Sequence, residues 1–201
     1  MLHLDCAAEV FSFLDYAEDC QLLTLFTERN RLYIERYWLR HTHQEIKTDS
    51  EGSIRYFTNG KRHRTDGPAV ILNNGSQFWY KNGKRHRNDG PAVIWNSGTQ
   101  EWWQNGNLHR IDGPAVITAH GRQEWYKNNK LHRDGGPAVI YPDGSRVWYQ
   151  NNKRHRTDGP AVDCADGTQF WYKNGKLHRN DGPALLTTDR CEWWIDGIWQ
   201  F

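Results

Sequence analysis

The sequence predicts a mainly β chain: an elongated, twisted antiparallel array of β-hairpin repeats with a small α-helical head at its N-terminal end. Three observations carry this. The run FWYKNGKRHRNDGPAVI, residues 78–94, returns almost unchanged as FWYKNGKLHRNDGPALL at 170–186. His63, His86, His109, His132, His155 and His178 mark a period of 23 residues every time. Apolar mass lies in 11 Trp, 9 Tyr and 7 Phe, while hydrophobic residues total only 37%. Large rings with few aliphatics suit a thin sheet better than a thick core.

The head spans residues 1–45. Val10, Phe13 and Leu14 lie at i, i+3 and i+4, as do Leu22, Leu25 and Phe26, and Ile34, Tyr37 and Trp38, which is helical spacing. Asp5 is placed to cap a first helix, Asp15 with Glu18 fits a capping box, and Thr27 caps a third. So short a unit buries too little surface to stand alone. Its apolar face belongs on the first repeat, as a cap, or on another protein. The stretch LDCAAEVFSFLDYAEDCQLLTLFTERNRLYIERYW resembles an F-box. That resemblance implies that Val10, Phe13, Leu14, Leu22 and Leu25 build the helical core or dock the adaptor subunit of a cullin-type ubiquitin ligase. The Pro common near the start of that family is replaced here by Ala7 and Ala8. From Gln44 to Ser53 polarity rises and periodicity fades, marking the boundary.

Residues 46–201 make about six and a half units. Aligned on the histidines, the first aromatic column reads Tyr56, Trp79, Trp102, Trp125, Trp148, Trp171 and Trp194. A second column follows it directly, from Phe57 and Tyr80 to Ile195. Next comes Asn-Gly or Asn-Asn, ending with Asp196-Gly197, residues that accept the positive φ of a two-residue hairpin turn. A second turn carries Gly52, Gly75, Gly98, Gly121, Gly144 and Gly167. Two strands of four to six residues per unit fit between these turns, with the two aromatic columns on opposite faces. His-Arg-x-Asp-Gly-Pro then forms a crossover, because Pro donates nothing to a ladder. The array resembles a MORN-type repeat in its 23-residue unit and its Asn-Gly-Lys-Arg-His after a Trp or Tyr strand. It departs in having His-Arg-x-Asp-Gly-Pro-Ala for the family's His-Gly-x-Gly. An F-box-like head followed by MORN-like repeats resembles a combination common in large DNA viruses of amoebae.

Chemistry is sought in the repeated polar residues. A metal in the histidine column fails on distance. Equivalent residues two strands apart are about 9.6 Å apart, whereas two nitrogens on one zinc are within about 4.2 Å. Neither a metal nor any other cofactor is expected. Catalysis needs one asymmetric constellation, and six equivalent His–Asp sets supply none, so no catalytic residue and no small-molecule substrate are expected. The Arg column from Arg64 to Arg179 would suit nucleic acid or anionic lipid. An Asp column nearly cancels it, and each Arg is expected to stack on a Trp and pair with the Asp of its own turn.

Charge and cysteine usage agree. The net charge is +2, with residues 1–50 at net −4 and 51–201 at net +6, far from the footprint of a dedicated nucleic-acid binder. Four unpaired-looking cysteines, no basic leader and no run of 18 apolar residues point to a non-secreted cytoplasmic protein, in a host cell or virion if viral. What remains is a non-enzymatic interaction or scaffold protein. Its partners would be a ubiquitin ligase adaptor plus a target, or virion proteins if the chain is structural. Recognition is expected where copies differ beside the fixed Trp: Arg55, Phe78, Glu101, Glu124, Val147, Phe170 and Trp193.

Overall fold

The computed structural model describes residues 44–200. The expected helices, and the face formed by Val10, Phe13, Leu14, Leu22 and Leu25, lie outside the described residues. Within them the chain is β throughout, and no helix is long and apolar enough to cross a membrane. The stretch expected as a polar boundary begins with a strand, β1 (Gln44–Thr48), paired antiparallel with β2 (Ile54–Thr58). All five β1 residues are exposed, and Glu45 and Lys47 on it form an ion pair. Charges of this kind discourage further pairing at an open edge.

A single unit shows how the rest is built. After β3 (Lys61–Arg62) come β4 (Val70–Ile71), β5 (Gln77–Phe78), β6 (Tyr80–Lys81), β7 (Lys84–Arg85) and β8 (Val93–Ile94). The two longer strands expected per unit are thus four strands of two residues. The break falls at Trp79, whose N–H donates to Ala92 O at 2.8 Å while its carbonyl accepts from His86 N. On one side of it β5 pairs with β4 and β8; on the other β6 pairs with β7 alone. Repetition gives one meandering antiparallel sheet of 16 strands and, beside it, a row of separate two-stranded hairpins. The hairpin turns adopt the positive φ expected of them, 52° at Asn82 and 79° at Gly83. One backbone bond joins each hairpin to the next, as from Gly106 N–H to Arg85 O at 2.9 Å.

The core is a cross-strand ladder along this sheet. Val70 faces Phe78, Phe78 faces Val93, Val93 faces Glu101, and the series continues through Val116, Glu124, Val139, Val147, Val162 and Phe170 to Leu185 and Glu192. Each such pair lies within the roughly 4.5–5.5 Å of facing residues on a pleated surface. Two apolar clusters result, one on Val70, Phe78 and Val93, the other on Val139, Val147 and Val162. On the opposite face Ala69, Ala92, Ala115, Ala138, Ala161 and Ala184 are completely buried, their small side chains leaving room for the crossover loops above.

The final unit corrects the alignment. Its turn is one residue shorter: Thr187 N–H bonds Arg190 O, where Leu72 N–H bonds Ser76 O. Leu185 therefore faces Glu192, and Arg179 N–H reaches Trp194 O as Arg87 N–H reaches Trp103 O. Glu192, not Trp193, continues the variable column; Trp193 belongs to the first aromatic column and Trp194 to the second. A fixed 23-residue count had hidden the deletion.

Candidate functional site

The His-Arg-x-Asp-Gly-Pro loops stand over the alanine face, and each is a clamp around its arginine. In the second unit the Arg87 guanidinium lies over the Trp79 ring, 4.1 Å from its centroid. Its Nε donates to Asp89 Oδ1 at 2.9 Å and Nη1 to Pro91 O at 3.3 Å. On its other side sits Gly90, where an added Cβ would come within 3.2 Å of Arg87 Cζ. Trp below, Gly above, Asp and the Pro carbonyl at the rim: the motif is one arginine cage. Arg64, Arg110, Arg156 and Arg179 repeat it on Tyr56, Trp102, Trp148 and Trp171. The expected stacking and pairing are found, and this arginine column is internally engaged.

The hydrogen bond from each arginine holds Asp66, Asp89, Asp112, Asp158 and Asp181 below the usual carboxylate range. The fourth unit differs. Gly135, at φ 74°, stands in the Asp position, and Asp134 turns to His132 Nε2 at 3.1 Å. Arg133 still lies 3.9 Å over Trp125 and bonds Pro137 O.

The histidines do something the spacing did not reveal. Each Nδ1 accepts the backbone N–H of the hairpin Asn in the next unit: Asn82 on His63, Asn105 on His86, Asn128 on His109, Asn151 on His132 and Asn174 on His155, at 3.1 to 3.4 Å. At His178 the same nitrogen lies 3.1 Å from Asp196 N and 2.9 Å from the Asp196 carboxylate, so the link to the next hairpin is there a side-chain pair as well. The column is a row of staples between units. At the far edge a hydroxyl column does equivalent work, with Asn96 N–H on Ser76 Oγ at 3.0 Å and Ala119 N–H on Thr99 Oγ1 at 3.1 Å. Among the described residues no group of three His, Cys, Asp or Glu side chains is placed to hold a metal ion.

The expected recognition column is an interior one, and that expectation is corrected. Phe78, Glu124 and Val147 are only 7%, 8% and 6% exposed. Their variation answers internal partners. Phe78 meets Trp95 edge-on at 5.1 Å. Glu101 accepts from both Trp95 Nε1 (2.8 Å) and Trp103 Nε1 (2.7 Å). Glu124 holds Arg122 at 2.6 Å, and burial together with this carboxylate pushes the Tyr126 hydroxyl up to about 12. Arg55 pairs with Asp49 at 2.7 Å, Val147 belongs to the second apolar cluster, and Phe170 packs against it. Trp193 is 48% exposed.

A different column varies at the surface. The x of each loop is Thr65, Asn88, Ile111, Asp134, Thr157 and Asn180, and all six are exposed. Ile111 is 89% exposed, beyond any other large apolar side chain described. Between successive loops run grooves, three of them lined by a Trp and a hairpin Lys: Trp79 with Lys81, Trp125 with Lys127 and Trp171 with Lys173; the third and fifth units carry Gln104 and Gln150 in place of the Lys. The signal was present in the sequence: a position that changes within an otherwise fixed motif.

The surface is therefore a comb of rigid loops with unlike tips, separated by grooves. No protein-family model matches the chain, and no curated protein matches it.

Proposed function

We propose that the chain is a non-enzymatic interaction scaffold whose protein partner is read by the six loop tips. One observation carries this: each tip is held on a stacked arginine, yet the six exposed tips are of four kinds, two Thr, two Asn, Ile111 and Asp134. A rigid base lowers the entropy lost when a tip is bound, and an exposed isoleucine between polar tips supplies an apolar anchor with a polar rim. A photo-crosslinking residue at 88, a neighbouring exposed tip, in the full chain is expected to capture one defined protein from the native source. Ile111→Asp should abolish that capture, while Ile46→Asp, an exposed apolar change on β1, leaves it intact. Equal capture by both variants would overturn the reading.

The F-box-like sequence at 1–45 supports a specific form of this scaffold, in which the head recruits a ubiquitin ligase adaptor and the array presents the target. Val10→Asp and Phe13→Asp are then expected to end binding to the adaptor subunit. Adaptor binding unaltered by both, or none in the parent chain, leaves the alternative of a structural component, as in a virion, with the head as a cap.

A further inference from the structure

The hairpin row carries a charge that the arginine loops do not. Eight of the chain's nine lysines lie on it, all exposed. Lys81 with Lys84, Lys127 with Lys130 and Lys173 with Lys176 are facing cross-strand pairs; the first and fifth units add one each. Alternation places Lys81 on the same face as Trp79, two residues before it, and both line the same groove. The stem of Lys84 lies along Gly106 of the next hairpin, 3.6–3.7 Å from where a Cβ would stand, and Lys61 and Lys176 lie likewise on Gly83 and Gly197. These stems thus run from one hairpin toward the next.

None of the eight is in an ion pair among the described residues, the ninth, Lys47, being paired with Glu45. Six loop arginines on this face are matched by six loop aspartates, so the lysines stand uncompensated. Two further features narrow the partner. In each of the six full units one face of the first-column ring is taken by an arginine, which disfavours stacking on unpaired bases and anchoring in a bilayer. A second copy would bring the same surplus of positive charge and be repelled. A rigid, regularly charged polyanion with its bases covered satisfies all of this. Lysine, a point charge on a flexible stem, suits phosphates whose spacing need not match the repeat.

We propose that the hairpin row binds the phosphate backbone of duplex nucleic acid, independently of base sequence. This does not rest on recognition of a protein by the loop tips; Ile111→Asp should leave it unchanged, so the two readings fail separately. The test is anisotropy titration of the full chain with a short fluorescent DNA duplex of mixed sequence. Log affinity is expected to fall with log salt at a slope of about −0.9 per lysine–phosphate contact. K81Q/K84Q/K127Q/K130Q should weaken binding by at least about tenfold and flatten that slope, with the unfolding midpoint retained; K47Q should bind as the parent. Unaltered binding by the quadruple variant overturns the proposal. So do tighter binding to unstructured single strands, binding to phosphatidylserine vesicles without binding to duplex, and equal competition by polyglutamate at matched charge.

Discussion

Histidine in the 23-residue column is a structural acceptor, and its chemistry is decided by which ring nitrogen is used. With Nδ1 accepting from the Asn105 N–H, His86 is the Nε2–H tautomer. An Asn side-chain oxygen lies about where Nδ1 does, whereas a Gln oxygen corresponds to Nε2. His86→Asn is therefore expected to keep most of the parent stability, and His86→Gln to lose about 1 kcal/mol. Denaturant unfolding of the two variants checks this; equal losses would place the staple elsewhere. The loop aspartates give a pH dependence of known sign. Their folded pKa values lie below the unfolded one, so the stabilisation is complete above about pH 4 and is lost as pH falls through the folded values. Asp89→Asn should lower the unfolding midpoint at neutral pH, and the difference should vanish once the pH lies below the lowered folded pKa of the parent carboxyl. A difference that persists in strong acid would contradict the pairing with Arg87.

Strands and turns show how far the repeat was readable and where it stopped being so. Asn82-Gly83 announces its turn because φ is positive at both residues, and a repeated Trp marks a sheet face. Four strands of two residues were not legible, because the break at Trp79 comes from a long-range bond to Ala92 O that no local preference encodes. The inward direction of Phe78 and Glu124 was hidden for a similar reason: variation reads as exposure until the facing strand is known. The hydroxyl staple gives the sharpest case. It needs an acceptor after the turn Gly and an N–H in the next unit, as in Ser76 with Asn96. The fourth unit has Arg122 for the hydroxyl residue, and its counterpart in the fifth is Pro142, which has no N–H. The two departures match each other. Arg122 instead pairs with Glu124 and lies 4.9 Å over Tyr141. Ser76→Ala is expected to cost about 1 kcal/mol. Arg122→Ser should destabilise, gaining no staple and leaving buried Glu124 without its cation, whereas Ser in a unit facing a donor would stabilise. If Arg122→Ser alone raises the unfolding midpoint, the idea of a matched pair fails.

Across units 44–200 every staple is a nearest-neighbour bond: His to the next hairpin, Ser to the next turn, Val to the facing strand. Stability of such an array is close to a sum of unit and interface contributions. What an interface requires is register, and register here is 23 residues. Excising residues 83–105 joins Asn82 to Gly106 and leaves a hairpin Asn-Gly on a correct unit, with His63 and His109 again one period apart. That chain is expected to unfold cooperatively at a modestly lower midpoint, having lost one unit and one interface. Excising 79–100 retains one more residue, leaving Glu101 after Phe78 inside a strand, and removes the match between Val and its facing column, since a one-residue slip turns each side chain to the other face. The buried alanine face would then receive bulky residues, and the caged arginines would lose their Trp floor. The final turn shows how such a slip is avoided in the native chain, its missing residue being taken out of the loop at 187–190 and not out of a strand. Circular dichroism melts of the two deletions decide the matter: similar midpoints for both would mean that the units are held by composition alone, and a cooperative transition only in the 23-residue deletion would mean that they are held by register.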